Sequence, residues 1–579
     1  MEDGFAALLP PGRDRTWWHW APLIIALASF LLSYVGFCIA DAKLLGCDTP
    51  LESLYSSAQL LILHMHHREL PDGGPWPQAL FLVARPLAVL AWAAFGLLVV
   101  TSIFKRRLRL WSTVRKGNHT VICGLSGAGL ELVDDARREG EGVVVIDQES
   151  SAEAGIRAEE TGACLLPGSP AEPQLLRKAG IHSAKLLLAA TPDDSANIAA
   201  VVRAREAAPG KPFRAFVHIA DSQLRVQLRR QRTFRSDGPT SATIFNVFDN
   251  SARLLLRDYP LDHVRIRPES EQVVQLIVIG FGLMGEAVLT RAALTAHYAN
   301  LKRLRAIVID LDADRRWRLF RNRYPRFAEV ADAQFIQADA EEPETQAQIA
   351  ELCANPAKTI STIVISFDDP PRGLSLALSL RDGLRCYAPI RLRLNDDSGL
   401  AALLPRGQIT GFGSIRDARK RKSWLDSELD ATAKKLHEDY LAKLSEDERS
   451  RPDKRSSYPW DQLDDDLVES NRQLADHIPV KLRAVGCHTT AIGNRDDPGV
   501  RVDHFEKEEI ELLAKLEHRR WMAERFLAGW TLGPRDDQKR TNPYLVEWEA
   551  LPLSIQEYDR NFVRIIPGVL HSVNLEIRR

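Results

Sequence analysis

From Trp17 to Ala40 the chain reads WWHWAPLIIALASFLLSYVGFCIA, with no charged residue and, apart from aromatic groups, only His19, Ser29 and Ser33 as polar ones. A helix of that length crosses a hydrocarbon core of about 30 Å. A helix is also one of the two structures that satisfy every backbone N–H and C=O in lipid. A second uncharged run, Leu87 to Phe104 (LAVLAWAAFGLLVVTSIF), is long enough to cross as well, with Arg85 and Pro86 ahead of it as an expected interfacial anchor. Lys105, Arg106, Arg107, Arg109, Arg115 and Lys116 follow this run, whereas the loop from Asp41 to Pro77 offers only Lys43 and Arg68. Basic residues stay on the cytoplasmic side, so the expectation is a multi-pass protein of the inner (plasma) membrane with both termini cytoplasmic. A cleaved leader is disfavoured because Asp41 and Lys43 interrupt the apolar run before Cys47.

Between the spans lies LESLYSSAQLLILHM, Leu51 to Met65, too short to cross and too apolar for a solvated loop. Such segments are often re-entrant, and two spans around a half-inserted helix outline a pore-loop channel. Ser56, Ser57, Gln59 and His64 are the pore-region candidates. The K+-selecting TVGYG that would follow such a helix is absent, and the chain continues HMHHRELPDGG. Potassium selectivity is therefore not inherited from the pattern.

The 579 residues exceed what one core organises, and 45% hydrophobic with 26% charged is a globular average. The 76 basic and 77 acidic residues give a net charge of -1, which removes any global argument for a nucleic-acid partner. Seven cysteines without a CxxC pair speak against a disulfide framework and a metal knuckle.

From His119 the pattern becomes soluble α/β. HTVICG reads as a buried strand, GLSGAG as a turn, LELVDDARREG as a helix and GVVVID as a second strand ending at Asp147. Glycines at such a turn let backbone approach a pyrophosphate at the helix N-terminus, and an acid ending the next strand accepts ribose hydroxyls. The candidates are Gly124, Gly127, Gly129 and Asp147, with 147 - 124 = 23 residues from first glycine to acid. Ser126 stands where the second glycine of GxGxxG belongs. With PGSPAEPQLLRKAGI, KLLLAATPDDSANIAAVVRAR and FRAFVHIAD following, residues 117 to 235 resemble the TrkA-N, or RCK, domain that regulates K+ conductance. Ser169 after Gly168 departs from that family's Gly-Asp.

After the connector IFNVFDNSARLLLRDYPLDHV the pattern recurs. QLIVIGFGLMGEAV and LRAIVID offer Gly280, Gly282, Gly285 and Asp310, and AQFIQADA, TIVISFDD and PIRLRLND read as further strands. This stretch resembles a second, divergent RCK unit, and its complete glycine set makes it the better candidate for an adenine nucleotide or NAD(H). No nucleophile elbow, HExxH or Walker lysine motif appears, and no second domain offers acid–base groups to a nicotinamide, so an enzyme is not expected.

The tail reads IELLAKLEHRRWMAERFLAGWTLGPRDDQKRTNPYLVEWEAL. It resembles the RyR domain, the repeat of ryanodine receptors. His518, Trp521, Trp530 and Arg535 are its pocket candidates. A fainter copy precedes it, aligning LDATAKKLHEDYL with IELLAKLEHRRWM and WDQL with WEAL; His437 answers His518 and Trp460 answers Trp548.

The expected fold class is thus a two-helix transmembrane domain with a re-entrant segment, two Rossmann-like RCK units and a mainly helical RyR-like tandem repeat. The expected domains are 1–116, 117–265, 266–415, 416–485 and 486–579. The RCK resemblance implies a homotetrameric ion channel gated by a nucleotide or ion, with Arg106 to Lys116 as linker and the tail at the distal edge of the ring. The rival reading is a non-conducting, membrane-anchored nucleotide sensor.

Overall fold

The computed structural model describes residues 21–44, 50–62, 75–125, 128–148, 152–211, 213–229, 240–383, 388–394, 404, 407–413, 430–449 and 455–579. The chain divides into two compact units, Met1–Ser112 and Thr113–Arg579.

The first unit holds α1 (Ala21–Leu44), α2 (Pro50–Leu61) and most of α3 (Pro75–Lys116). Two windows, Pro22–Ile39 and Pro75–Val99, are long and apolar enough to cross a membrane. The second window begins before Leu87, and Arg85 and Pro86 lie inside a continuous helix instead of marking its start. Small residues let the helices approach: the Ser29 hydroxyl donates to the Ala84 carbonyl at 2.8 Å, and Gly36 faces Phe81, whose ring lies 4.6 Å from that of Phe37. In α2 Ser57 is buried and its hydroxyl donates to the Ser53 carbonyl at 2.6 Å, while Ser56 and Gln59 are half-buried. The Trp92 indole ties α3 to the end of α2 through the Leu61 carbonyl at 2.7 Å. His64 lies outside the described residues.

The second unit contains two six-stranded parallel sheets. β1 (Thr120–Cys123), β2 (Val143–Asp147), β3 (Cys164–Pro167), β4 (Leu186–Ala189), β5 (Phe213–His218) and β6 (Thr240–Phe245) run in the order β3-β2-β1-β4-β5-β6. β7 (Val273–Ile279), β8 (Leu304–Asp310), β9 (Ala331–Gln337), β10 (Thr359–Ile365), β11 (Ile390–Arg393) and β12 (Ile409–Phe412) run in the order β12-β11-β10-β7-β8-β9. The central strands VVVID, LLLA and VVQLIVI are apolar on both faces apart from Gln275 and the terminal Asp147, because helices cover both faces. In each sheet the chain order reverses beside the first strand, β1 or β7, which places a ligand crevice at that strand's C-terminal end. The segment read as a linker is helical: Arg106 to Lys116 forms the last turns of α3. Its final turn seats on the first sheet's layer, with Val114 against Gly180 and the Ser183 hydroxyl on the Val114 carbonyl at 3.1 Å.

The tail is built twice on one plan. His437, on the helix Ala431–Lys443, reaches the Tyr458 carbonyl at 2.8 Å and lies beside Tyr440 and Trp460. His518, on the helix Lys507–Leu527, reaches the Val546 carbonyl at 2.7 Å and lies beside Trp521 and Trp548. Each copy continues through a short 3-10 turn, at Trp460–Gln462 or Trp548–Ala550, into helix and strand. The two terminal strands, His488–Ala491 and Leu575–Arg578, pair antiparallel.

The tail is not a detached distal module. Val480, Ala523 and Leu527 complete the apolar core formed by β7, β8 and the helix Leu283–Thr295. Arg253 donates to both oxygens of Asp476, at 2.7 and 2.9 Å, and Arg483 to both of Asp262, at 2.8 and 2.7 Å. Arg291 is shared between Asp249 and Glu469.

Candidate functional site

The first crevice opens at the end of β1. Gly124 has φ +99°, which a side chain tolerates poorly, and a Cβ there would stand 2.9 Å from the Thr191 backbone. A Cβ on Gly129 would lie 1.9 Å from the Gly124 carbonyl oxygen, so this glycine is what lets the helix Ala128–Arg138 begin against the strand. Asp147, ending β2, accepts the Leu125 N–H through Oδ2 at 2.7 Å and is almost fully buried. Gly127 and Ser126 lie outside the described residues. The far wall is pinned by buried Asn197, whose Oδ1 accepts the Thr191 N–H at 2.9 Å and whose Nδ2 donates to the Thr191 and His218 carbonyls. Ser169 accepts the Ala171 N–H at 3.2 Å, a turn contact made without a carboxylate.

The second crevice repeats the device at the end of β7. Gly280 has φ +83°, and a Cβ on Gly285 would meet the Gly280 carbonyl oxygen at 2.3 Å. Asp310 accepts the Phe281 N–H at 2.6 Å and the Asp312 N–H at 2.8 Å. Gly282 differs from its neighbours: its φ is -79°, and a Cβ there would have nothing within 4 Å. It borders open space.

The loop after β10 leans over this second turn. The Ser366 hydroxyl donates to the Gly280 carbonyl, and the Phe367 ring comes within 2.9 Å of where a Gly280 Cβ would stand. Arg372 stacks 5.2 Å over Phe367 and reaches across to the loop after β9, donating to Glu341 from Nε at 2.9 Å and from Nη2 at 2.6 Å, with Asp339 3.8 Å away. Arg393 pairs with Asp368 of the same β10 loop. Sequence reasoning missed Phe367, Arg372 and Glu341; the one available signal was the position of SFDD at a strand's end, where Rossmann folds bind ligands.

In the tail, the four pocket candidates do not form one group. His518 is buried, stacked on Trp521 at 5.7 Å and committed to the Val546 carbonyl. Burial lowers its pKa. Trp521 and Trp530 are joined by Arg525, which lies 5.7 and 5.1 Å from their ring centres. Arg535 is solvent-exposed in the segment that follows. Arg525 follows Trp521 by four residues on a helix, a spacing that puts both on one face and was readable in the sequence.

Behind this face lies a buried ionic cluster. Lys481, fully buried, donates to Glu517 at 2.7 Å and to His477 Nδ1 at 2.8 Å; Arg520 pairs with Glu517 at 2.9 Å and with Glu524 at 2.8 Å. Burial, with the Glu517 charge, pushes the Asp559 carboxyl up to about 8 against the pull of Arg520 and Lys481. Burial and the charges of Arg520, Arg519 and Lys481 bring His297 down to about 3. Among the described residues no group of three or more His, Cys, Asp or Glu side chains is arranged to hold a metal ion.

Residues 120–231 match the TrkA-N domain and residues 496–579 the RyR domain. No curated protein matches the chain. Similar solved structures include GsuK bound to ADP, at 16% identity and TM-score 0.36, covering 69% of this chain and 95% of that one. They also include the GsuK channel bound to NAD, at 13% identity and TM-score 0.36, covering 70% and 84%. The NAD(P)-binding domain of an exopolyphosphatase-related protein from Archaeoglobus fulgidus, at 16% identity and TM-score 0.21, covers 24% of this chain and 96% of that one.

Proposed function

We propose that this chain, which carries a TrkA-N domain and an RyR domain, is a membrane protein whose cytoplasmic body binds an adenine nucleotide or dinucleotide and so regulates ion passage through a pore built by several copies. The observation that carries the nucleotide is the first crevice. There a positive-φ glycine, a helix start brought against its strand by Gly129, and an oriented carboxylate, Asp147, stand together inside the matched domain. The helix start suits a phosphate, and the Asp147 carboxylate suits ribose hydroxyls. Asp147 favours a ribose with a free 2′-hydroxyl, because a 2′-phosphate would meet its charge.

Two spanning helices per chain cannot enclose a pore, so conduction requires oligomers, and a homotetramer is the arrangement the RCK resemblance implies. Ligand binding regulates such an assembly only by binding one geometry better than another. The domains proposed are the five expected from the sequence, with both termini cytoplasmic.

The second reading, a non-conducting sensor, is favoured by the missing TVGYG after α2. The nucleotide claim is tested by calorimetry of purified full-length protein with ADP and with NAD. Asp147→Asn, which keeps an acceptor for Leu125 but removes the charge offered to ribose, should weaken binding by about 1.5–3 kcal/mol, the range for hydrogen bonds to a charged group. Unchanged affinity in this variant and in a Gly282→Trp variant would remove both crevices from consideration.

A further inference from the structure

The two crevices share glycine geometry but not cover. Over Gly124 the nearest atoms among the described residues are backbone atoms of Thr191 and Ala190, with Thr191 held there by Asn197. Over Gly280 it brings an aromatic ring, and the loop is tied down at three points: Ser366 to the Gly280 carbonyl, Asp368 to Arg393, and Arg372 to Glu341. In the sheet order β7 and β8 lie between β10 and β9. A link from the loop after β10 to the loop after β9 therefore spans the C-terminal ends of the two strands that carry Gly280 and Asp310.

We propose that Phe367, Arg372 and Glu341 set the nucleotide affinity of the second crevice by closing it: the guanidinium stacked on Phe367 occupies the place of the ligand's planar base, and Glu341 is the latch that holds it there. This rests on reading the glycine crevices as nucleotide sites. A purine and an arginine compete for the same aromatic face, since both are flat and both stack on a π system. Release needs little: the Arg372 and Glu341 side chains are each 40% exposed, and an ion pair in solvent adds little to closure. The result is two unequal sites per chain, the second of them latched, so that it fills only at higher nucleotide concentration.

The test uses full-length protein carrying Asp147→Asn, which disables the first crevice, and measures ADP binding calorimetrically. Glu341→Gln and Arg372→Ala should each tighten binding by up to about fivefold, the range for a half-exposed ion pair. Phe367→Ala removes the aromatic face together with its guanidinium cover, so it should show no such gain, because the base loses the ring it would stack on. Adding Gly282→Trp should abolish the gain, because position 282 has a negative φ and open space, so the indole fills the crevice and leaves the fold intact. Far-UV dichroism confirms folding of each variant. Binding that is unchanged or weakened in Arg372→Ala and Glu341→Gln overturns the latch, making Arg372 a bystander or a ligand contact. Wild-type protein that binds no ADP at all overturns the nucleotide reading beneath it.

Discussion

Leu125 donates its backbone N–H to Oδ2 of Asp147 over 2.7 Å, joining the glycine turn of the first sheet to the end of the adjacent strand. Phe281 and Asp310 repeat the bond in the second sheet at 2.6 Å. The carboxylate is thereby aimed before any ligand arrives, and Gly129 and Gly285 bring the following helix onto the strand.

Those two glycines are the least replaceable residues of the crevices. Gly129→Ala and Gly285→Ala place a methyl 1.9 and 2.3 Å from a backbone carbonyl oxygen that cannot swing away. Each should lower stability by about 1–3 kcal/mol, as overpacking does, seen as a drop in melting temperature. Gly282→Ala should leave it unchanged.

The fit of the tail onto the second sheet predicts the outcome of truncation. Removing residues 416–579 strips Asp476 and Asp430 from Arg253 and Glu469 from Arg291. It also uncovers apolar surface now sealed by Val480, Ala523 and Leu527. The truncated chain should therefore aggregate or be proteolysed rapidly. A soluble, cooperatively melting product would show that the second sheet stands alone.

How far the sequence revealed this molecule follows from how local each signal was. Gly124, Gly129 and Asp147 are legible because turn, helix start and strand end lie within one βαβ unit. The helix Val247–Asp258 lies within the stretch that reads as connector, and the strand TSATIF just before it has no strand signal in the sequence, since an edge strand of Thr and Ser carries little periodicity. Pairs such as Arg253 with Asp476, 223 residues apart, and Arg372 with Glu341 have no local signature, because the fold alone brings them together. The start of α3 was misplaced for another reason: Arg85 and Pro86 look like a boundary, yet the helix runs through both.

The tandem plan of the tail gives a paired prediction. His518→Ala deprives the Val546 carbonyl of its partner, and His437→Ala does the same to that of Tyr458. His518→Ala should cost about 1–3 kcal/mol, the range for a polar group left unpaired away from water, and His437→Ala less, because Tyr458 is exposed and water can replace the imidazole. Denaturant melts of the full-length protein read this directly.

The buried cluster predicts a pH response. The Asp559 carboxyl, raised to about 8, binds its proton more tightly in the folded than in the unfolded chain, so its contribution is complete at low pH and is lost as pH rises through about 8. His297, lowered to about 3, acts oppositely: its contribution is present above the ordinary imidazole range and is lost as pH falls toward 3. Asp559→Asn should therefore gain melting temperature relative to wild type between pH 5 and pH 9. A constant difference across that range would mean that Asp559 does not hold its proton.

Topology is checked by labelling intact cells. A cysteine introduced at Asp72 should react with an impermeant thiol reagent and one at Arg579 should not; the reverse pattern would invert the membrane orientation.

The central claim, that nucleotide binding in the cytoplasmic body regulates ion passage, is tested most directly by recording current from purified full-length protein in planar bilayers while ADP or NAD is added to the cytoplasmic side. The account predicts a current whose open probability changes with nucleotide, and a weakened response in Asp147→Asn. Protein that binds nucleotide calorimetrically yet passes no current under any of these conditions would contradict it and leave a membrane-anchored sensor.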